Sequence, residues 1–164
     1  MKREGPAALW LALLVGVMPA WGATDARVES LALCRDSWLD WKKTDPAKLD
    51  SFGAFVRSAF THRDNDAFVM PRSAMTLAGL KVTQIFPGSV GMGLGFSVLV
   101  EAPFDVAREA FERKLGKKLG ACHTGDGMRT CELPIAEQRT VMLMSGLPPN
   151  DKMTLVGCYY YYEK

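Results

Sequence analysis

Four cysteines are the residues whose type and spacing define the clearest chemistry, namely Cys34, Cys122, Cys131 and Cys158. An even number of cysteines in an exported chain is typical of disulfides formed in an oxidising compartment. Cys122 and Cys131 bracket an Asp-Gly turn at 126–127, which can bring their sulfurs together. The sequence therefore predicts a Cys122–Cys131 disulfide and leaves Cys34 to pair with Cys158.

A metal site is the competing interpretation of the second cysteine pair. If Cys122 and Cys131 were reduced, they could ligate zinc together with His123 and Asp126. Their spacing is not that of a zinc knuckle, and no second close pair of Cys or His exists. Disulfides are therefore favoured, and they leave no thiol for coordination or for nucleophilic catalysis.

The two histidines are candidates for acid–base or metal chemistry, and each lies in a polar segment. His62 precedes Asp64 and Asp66 in "THRDND", a segment that could bind a divalent cation or serve a small hydrolase. The central glycine and closing glutamate of an EF-hand loop are missing, so a solvated turn is the favoured interpretation. His123 is a second candidate ligand, but beside a disulfide it becomes an ordinary loop residue.

Alternating glycines and a run of tyrosines are the strongest signs of a binding surface. In "VGMGLGFSVLVEAPF" the glycines share one face of a strand, and "CYYYYE" ends the chain's last strand. A tyrosine on a neighbouring strand can cover bare glycine backbone, which is the structural interpretation. The functional interpretation is a smooth groove flanked by rings that stack on a partner. Its candidate binding residues are Gly91, Gly93, Gly95, Tyr159, Tyr160, Tyr161 and Tyr162.

Other sequence motifs exclude several chemistries. The G-x-G-x-G order leads into a strand, whereas a dinucleotide-binding loop leads into a helix. No serine lies in a G-x-S-x-G elbow, and no P-loop occurs. We therefore expect no cofactor and assign no catalytic residue. Met142 and Met144 share one face of a predicted strand and could form either an adaptable surface or core packing.

Residues 1–22 predict a secretory signal peptide. A basic start precedes an apolar run, Ala7–Met18, and the small residues Ala20 and Gly22 occupy the positions that signal peptidase recognises. The apolar run is shorter than the roughly 20 residues needed to span a bilayer. The mature chain, 23–164, has no other candidate span, and we expect it in the periplasm or the secreted space.

The charge balance argues against nucleic acid as a partner. The chain has 20 basic and 18 acidic side chains, a net charge of +2 and an isoelectric point near 8.4. Removal of Lys2, Arg3 and Glu4 leaves 18 and 17, a net charge of +1. So small a net charge creates no strong field for nucleic acid or anionic lipid.

The hydrophobic periodicity predicts a single disulfide-stabilised α+β domain over 23–164. Thr24 or Asp25 caps a first helix, and Asp45 with Pro46 begins a second, which makes an N-terminal helical hairpin. A further helix begins near Asp105 and ends at Gly116. We expect a mainly antiparallel sheet of about five or six strands, with these helices packed on one face.

These patterns favour a small secreted or periplasmic binding protein that acts through protein–protein contact. It could be an inhibitor, an immunity-like factor or an envelope accessory factor. One alternative is a small periplasmic hydrolase or metal-dependent enzyme that uses His62 and Asp64, or His123. Another is a carrier of lipid or of a small apolar ligand, with a pocket between the sheet and the helices.

Overall fold

The computed structural model describes residues 25–62, 67–90, 93–145 and 151–160, so the predicted signal peptide lies outside the described residues. The chain is α+β, as predicted. Its elements are α1 (Ala26–Ala32), α2 (Trp38–Thr44), α3 (Pro46–Ala59), β1 (Phe60–Thr61), β2 (Met70–Pro71), β3 (Thr76–Leu77), β4 (Leu80–Phe86), β5 (Ser89–Val90), β6 (Gly93–Glu101), α4 (Phe104–Leu115), β7 (His123–Gly125), β8 (Met128–Ala136), β9 (Arg139–Ser145) and β10 (Met153–Tyr160).

One large antiparallel sheet forms the centre of the molecule. Seven strands follow each other in the order β3-β4-β6-β10-β9-β8-β7, and β5 pairs with β6 as an eighth. Strands β1 and β2 form a separate two-stranded sheet. The prediction of about five or six strands was too low. Strands of two or three residues, such as β3, β5 and β7, are too short to produce an alternating sequence pattern.

The predicted first helix is in fact two helices, α1 and α2, so the chain has four helices in its described part. Helix α1 ends in a Schellman turn, in which Cys34 N–H donates to Leu31 O and Arg35 N–H donates to Ser30 O. This turn needs a left-handed residue, and Cys34 provides it with φ 56°. The Ser37 side chain then caps α2. The break between α1 and α2 was not predicted because a cysteine occupies the position at which a glycine usually marks the end of a helix.

The other predicted helix ends agree with the structure. Asp45 Oδ1 accepts a hydrogen bond from Lys48 N–H at 3.0 Å, and Pro46 is the first residue of α3. Gly116 ends α4 in the left-handed conformation, with φ 66°. These caps set the lengths of the two long helices that cover the sheet.

All four helices lie against one face of the sheet. The disulfide Cys34–Cys158 joins the end of α1 to β10, and the Phe52 ring of α3 packs edge-on against Phe96 at 5.8 Å. Asp105 of α4 pairs with Arg129 of β8 at 3.0 Å. The residues of β6 that point to the helices are fully buried: Phe96, Val98 and Val100. We call the opposite side of the sheet the open face.

No helix in the described ranges is long and apolar enough to cross a lipid bilayer.

Asp36 ties the turn between α1 and α2 to α3. Its carboxylate accepts hydrogen bonds from Ser37 N–H at 2.9 Å and from the Trp41 indole N–H at 2.6 Å, and it pairs with Lys48. Burial alone would raise the pKa of Asp36. The hydrogen bonds from Lys48, Ser37 and Trp41 outweigh burial and hold that pKa below its ordinary value of 3.8.

We expect Asp36→Asn to lower the free energy of unfolding at pH 7 by about 1 kcal/mol, because the neutral amide loses its ionic partner. A lowered pKa in the folded state stabilises the protein above pH 3.8, and this stabilisation is lost as the pH falls further. Denaturant titrations of both proteins between pH 7 and pH 2 measure the difference. That difference should shrink as the pH falls through the lowered pKa of Asp36 in the folded state. Asp50→Asn, on the exposed side of α3, is the matched control. If the difference in the free energy of unfolding between the wild type and Asp36→Asn stayed constant over this pH range, the stabilising role of the Asp36 carboxylate would be contradicted.

Candidate functional site

The structure contains both disulfides that the sequence predicts. Cys34 is bonded to Cys158, with their Cα atoms 5.0 Å apart, and Cys122 is bonded to Cys131, with their Cα atoms 4.3 Å apart. No free cysteine occurs in the described ranges. The sulfurs that could have ligated zinc are therefore covalently paired with each other.

Gly95 allows two central strands to approach each other closely. It lies opposite Tyr159 in the register of β6 and β10. A Cβ atom at Gly95 would stand 2.2 Å from the carbonyl oxygen of Cys158, and one at Gly157 would stand 2.5 Å from that of Phe96. Both positions therefore require glycine, because the backbones of β6 and β10 lie too close together for a Cβ atom. This agrees with the interpretation that the glycines serve the packing of the sheet.

Tyr159 covers part of this glycine region on the open face. It is only 4% exposed, and its hydroxyl lies 3.0 Å from the Ser97 Oγ. Ser97 is the register partner of Gly157, so the ring extends along the strand past a position that has no side chain. An aromatic ring that packs over a glycine in this way shields the strand backbone from solvent. Gly95 and Tyr159 therefore form a filled part of the sheet surface.

Tyr160 points to the helix side of the sheet. Burial raises the pKa of Tyr160 above its ordinary value, while the neighbouring Ser37 side chain opposes the rise. Gly93 begins β6 and pairs with Val90. The remaining candidate binding residues, Gly91, Tyr161 and Tyr162, lie outside the described residues.

A row of partly exposed side chains crosses the open face next to the Tyr159 region. The strand registers place Leu99 opposite Leu155 and Leu155 opposite Met144. All three are partly exposed, and Met142 lies two residues along β9 on the same face. We call Leu99, Leu155, Met142 and Met144 the apolar row. Sequence reasoning noticed the two methionines but missed the leucines, because only the register of three separate strands brings them together.

The histidines do not assemble a site in the described residues. His62 directly follows β1, and its predicted companions Asp64 and Asp66 lie outside the described ranges. His123 is exposed in β7 and pairs with Thr130. Within the part of the chain that the structure describes, no three His, Cys, Asp or Glu side chains are grouped to hold a metal ion.

Three clefts among the described residues are lined in part by side chains of α3 or α4. Volumes of about 430, 380 and 290 Å³ open at the end of α4, between α3 and Pro87, and between the β3–β4 turn and α4. The space between the helices and the sheet is instead filled by one continuous cluster of buried side chains, including Phe52, Phe96 and Phe111. This packing does not favour an internal ligand pocket there.

Comparisons of the chain with protein-family models, with curated proteins and with solved structures find no match. The fold and its sulfur chemistry define a disulfide-bonded α+β protein with one helix-covered and one open sheet face.

We expect Gly95→Ala to lower the free energy of unfolding by about 3 kcal/mol, because the new methyl group overlaps the backbone of β10 and cannot rotate away. Gly125→Ala is the matched control, since a Cβ atom there meets open space. Its effect should stay within about 0.5 kcal/mol. Urea denaturation of the two variants measures both values, and equal effects would show that the two strands tolerate a side chain at position 95.

Proposed function

We propose that this chain is a secreted or periplasmic protein that binds a partner protein through the apolar row. The two disulfides support such a compartment, because structural disulfides persist where thiols are not kept reduced. The single observation that carries the proposal is the partly exposed apolar row on the sheet face opposite the helices.

The apolar row has the properties of an adaptable contact surface. Directly opposed side chains on neighbouring antiparallel strands lie about 5 Å apart, so Leu99, Leu155 and Met144 can form a continuous patch. Methionine side chains are flexible and polarizable, and they fit partner surfaces of different shape. Because β6, β10 and β9 are central strands paired on both sides, the patch is held on a rigid support.

The charge beside the apolar row indicates the chemistry of the partner. Glu132 lies opposite Met142 in the register of β8 and β9, on the same open face. Glu132 forms no ion pair with the described residues, whereas Glu101 near the other end of the row is paired with Lys81. We infer a protein partner with an apolar contact patch and a lysine or arginine placed to meet Glu132.

Affinity capture with chemical crosslinking from envelope and secreted extracts of the source organism tests the proposal. The bait proteins are the wild type, Leu155→Lys, Met144→Lys and Glu132→Lys. The matched control is Val106→Lys, which changes an apolar side chain that is 51% exposed on α4, away from the open face. Circular dichroism and thiol titration establish that each bait is folded and oxidised.

We expect one partner to be captured by the wild type and by Val106→Lys. Its affinity should fall about tenfold or more in Leu155→Lys and Met144→Lys, because a cation then replaces apolar contact area at the centre of the patch. Glu132→Lys should weaken binding in a salt-dependent way. A partner that binds all five proteins equally would exclude the apolar row, and failure of both the wild type and Val106→Lys to capture any protein would exclude a protein-binding function.

A further inference from the structure

Arg108 of α4 holds a positive charge against one sulfur of the second disulfide. Its Nη1 atom lies 3.2 Å from the Sγ of Cys122. A neutral disulfide sulfur is a weak hydrogen-bond acceptor, whereas a thiolate is an anion that a neighbouring arginine stabilises strongly. This contact therefore favours the reduced form of Cys122 over the oxidised form.

The Arg108 side chain is fixed in this position by Glu112. The carboxylate of Glu112 accepts from Arg108 Nε–H at 3.0 Å and from Leu119 N–H at 3.1 Å, and it pairs with Lys118 at 2.7 Å. Lys118 and Arg108 hold the pKa of Glu112 below its ordinary value although Glu112 is only 6% exposed. A charged, buried Glu112 thus directs the guanidinium towards Cys122.

The two disulfides differ in access. Cys34, Cys158 and Cys131 are buried, with exposures of 2%, 0% and 0%, whereas Cys122 is partly exposed. Of the four cysteines, Cys122 is therefore the one that a thiol in solution can approach.

The two disulfides also differ in what they hold together. The pairing of His123 with Thr130 places Cys122 opposite Cys131, so this bond joins neighbouring positions of one hairpin at the edge of the sheet. Opening it releases a constraint on β7, an edge strand whose three residues are all exposed. When the Cys122–Cys131 bond is open, the bond between Cys34 and Cys158 still joins α1 to β10 and holds the helix layer on the sheet.

We propose that Cys122–Cys131 is a site of thiol–disulfide exchange with an external dithiol, and that Cys34–Cys158 is structural. A thiolate of the dithiol attacks the Cys122 Sγ and forms a mixed disulfide, while Cys131 leaves as a thiolate and takes a proton. The second thiolate of the dithiol then attacks the dithiol's first sulfur, which is bonded to Cys122. The bond between that sulfur and Cys122 breaks, and Cys122 leaves as a thiolate facing Arg108. Because the Cys122 thiolate stays unprotonated beside Arg108, the protein gains two electrons and one proton, the dithiol becomes a disulfide, and the second proton of the dithiol goes to the solvent.

Equilibration with dithiothreitol at graded ratios of reduced to oxidised reagent tests this site. Free thiols are trapped with an alkylating agent, and mass spectrometry of the peptides reports each disulfide separately. The proteins are the wild type, Arg108→Met and Arg108→Lys. Arg113→Met is the matched control, because Arg113 is an exposed cation of the same helix for which the structure gives no contact with sulfur.

We expect the wild type to open Cys122–Cys131 at a ratio at least about tenfold lower than Cys34–Cys158. Arg108→Met should raise the ratio required for Cys122–Cys131 by about tenfold, and Arg108→Lys should restore much of the effect because it keeps the charge. Arg113→Met should match the wild type. Simultaneous opening of both disulfides, earlier opening of Cys34–Cys158, or an unchanged ratio in a folded Arg108→Met would overturn the proposal.

Discussion

The bond between Cys34 and Cys158 is the constraint on which the arrangement of the helix layer depends. It fixes the end of α1 on the central strand β10, and the intervening sequence separation of 124 residues makes this a long closed loop. Restricting so long a loop in the unfolded chain stabilises the fold by about 5 kcal/mol in the chain-entropy account. That is more than the roughly 1–2 kcal/mol that a left-handed conformation costs a residue such as Cys34. The fold therefore remains favourable with Cys34 in the left-handed conformation at the break between α1 and α2.

The close approach of β6 and β10 determines which part of the open face carries exposed side chains. Gly95 and Gly157 bring the two backbones together, and Tyr159 then covers the region as far as Ser97. The side chains further along the same strands, Leu99 and Leu155, stay partly exposed. Of the residues that the sequence marked as a binding surface, Gly95 and Tyr159 thus support the sheet beside the apolar row.

Features that depend on a few neighbouring residues could be predicted from the sequence. Features that depend on contacts between distant parts of the chain could not. The Asp-Gly turn and the cap at Asp45 each depend on a few neighbouring residues, and both agree with the structure. The apolar row could not be predicted, since it requires the register of three strands that are separated by a helix and several turns. The end of α1 was also not predicted, because the left-handed residue of its Schellman turn is Cys34 and not the glycine that usually marks such a turn.

The two proposed sites meet on one strand and are still separable. In β8, Cys131 points to the helices and the next residue, Glu132, points to the open face, because successive strand residues alternate. Opening the Cys122–Cys131 bond loosens β7 on the outer side of β8, while β9 continues to pair with β8 on its inner side. The apolar row lies on β6, β10 and β9 and keeps its support in either redox state. Glu132, which follows Cys131 in the chain and lies opposite Met142, joins the proposed contact to the strand that carries the disulfide.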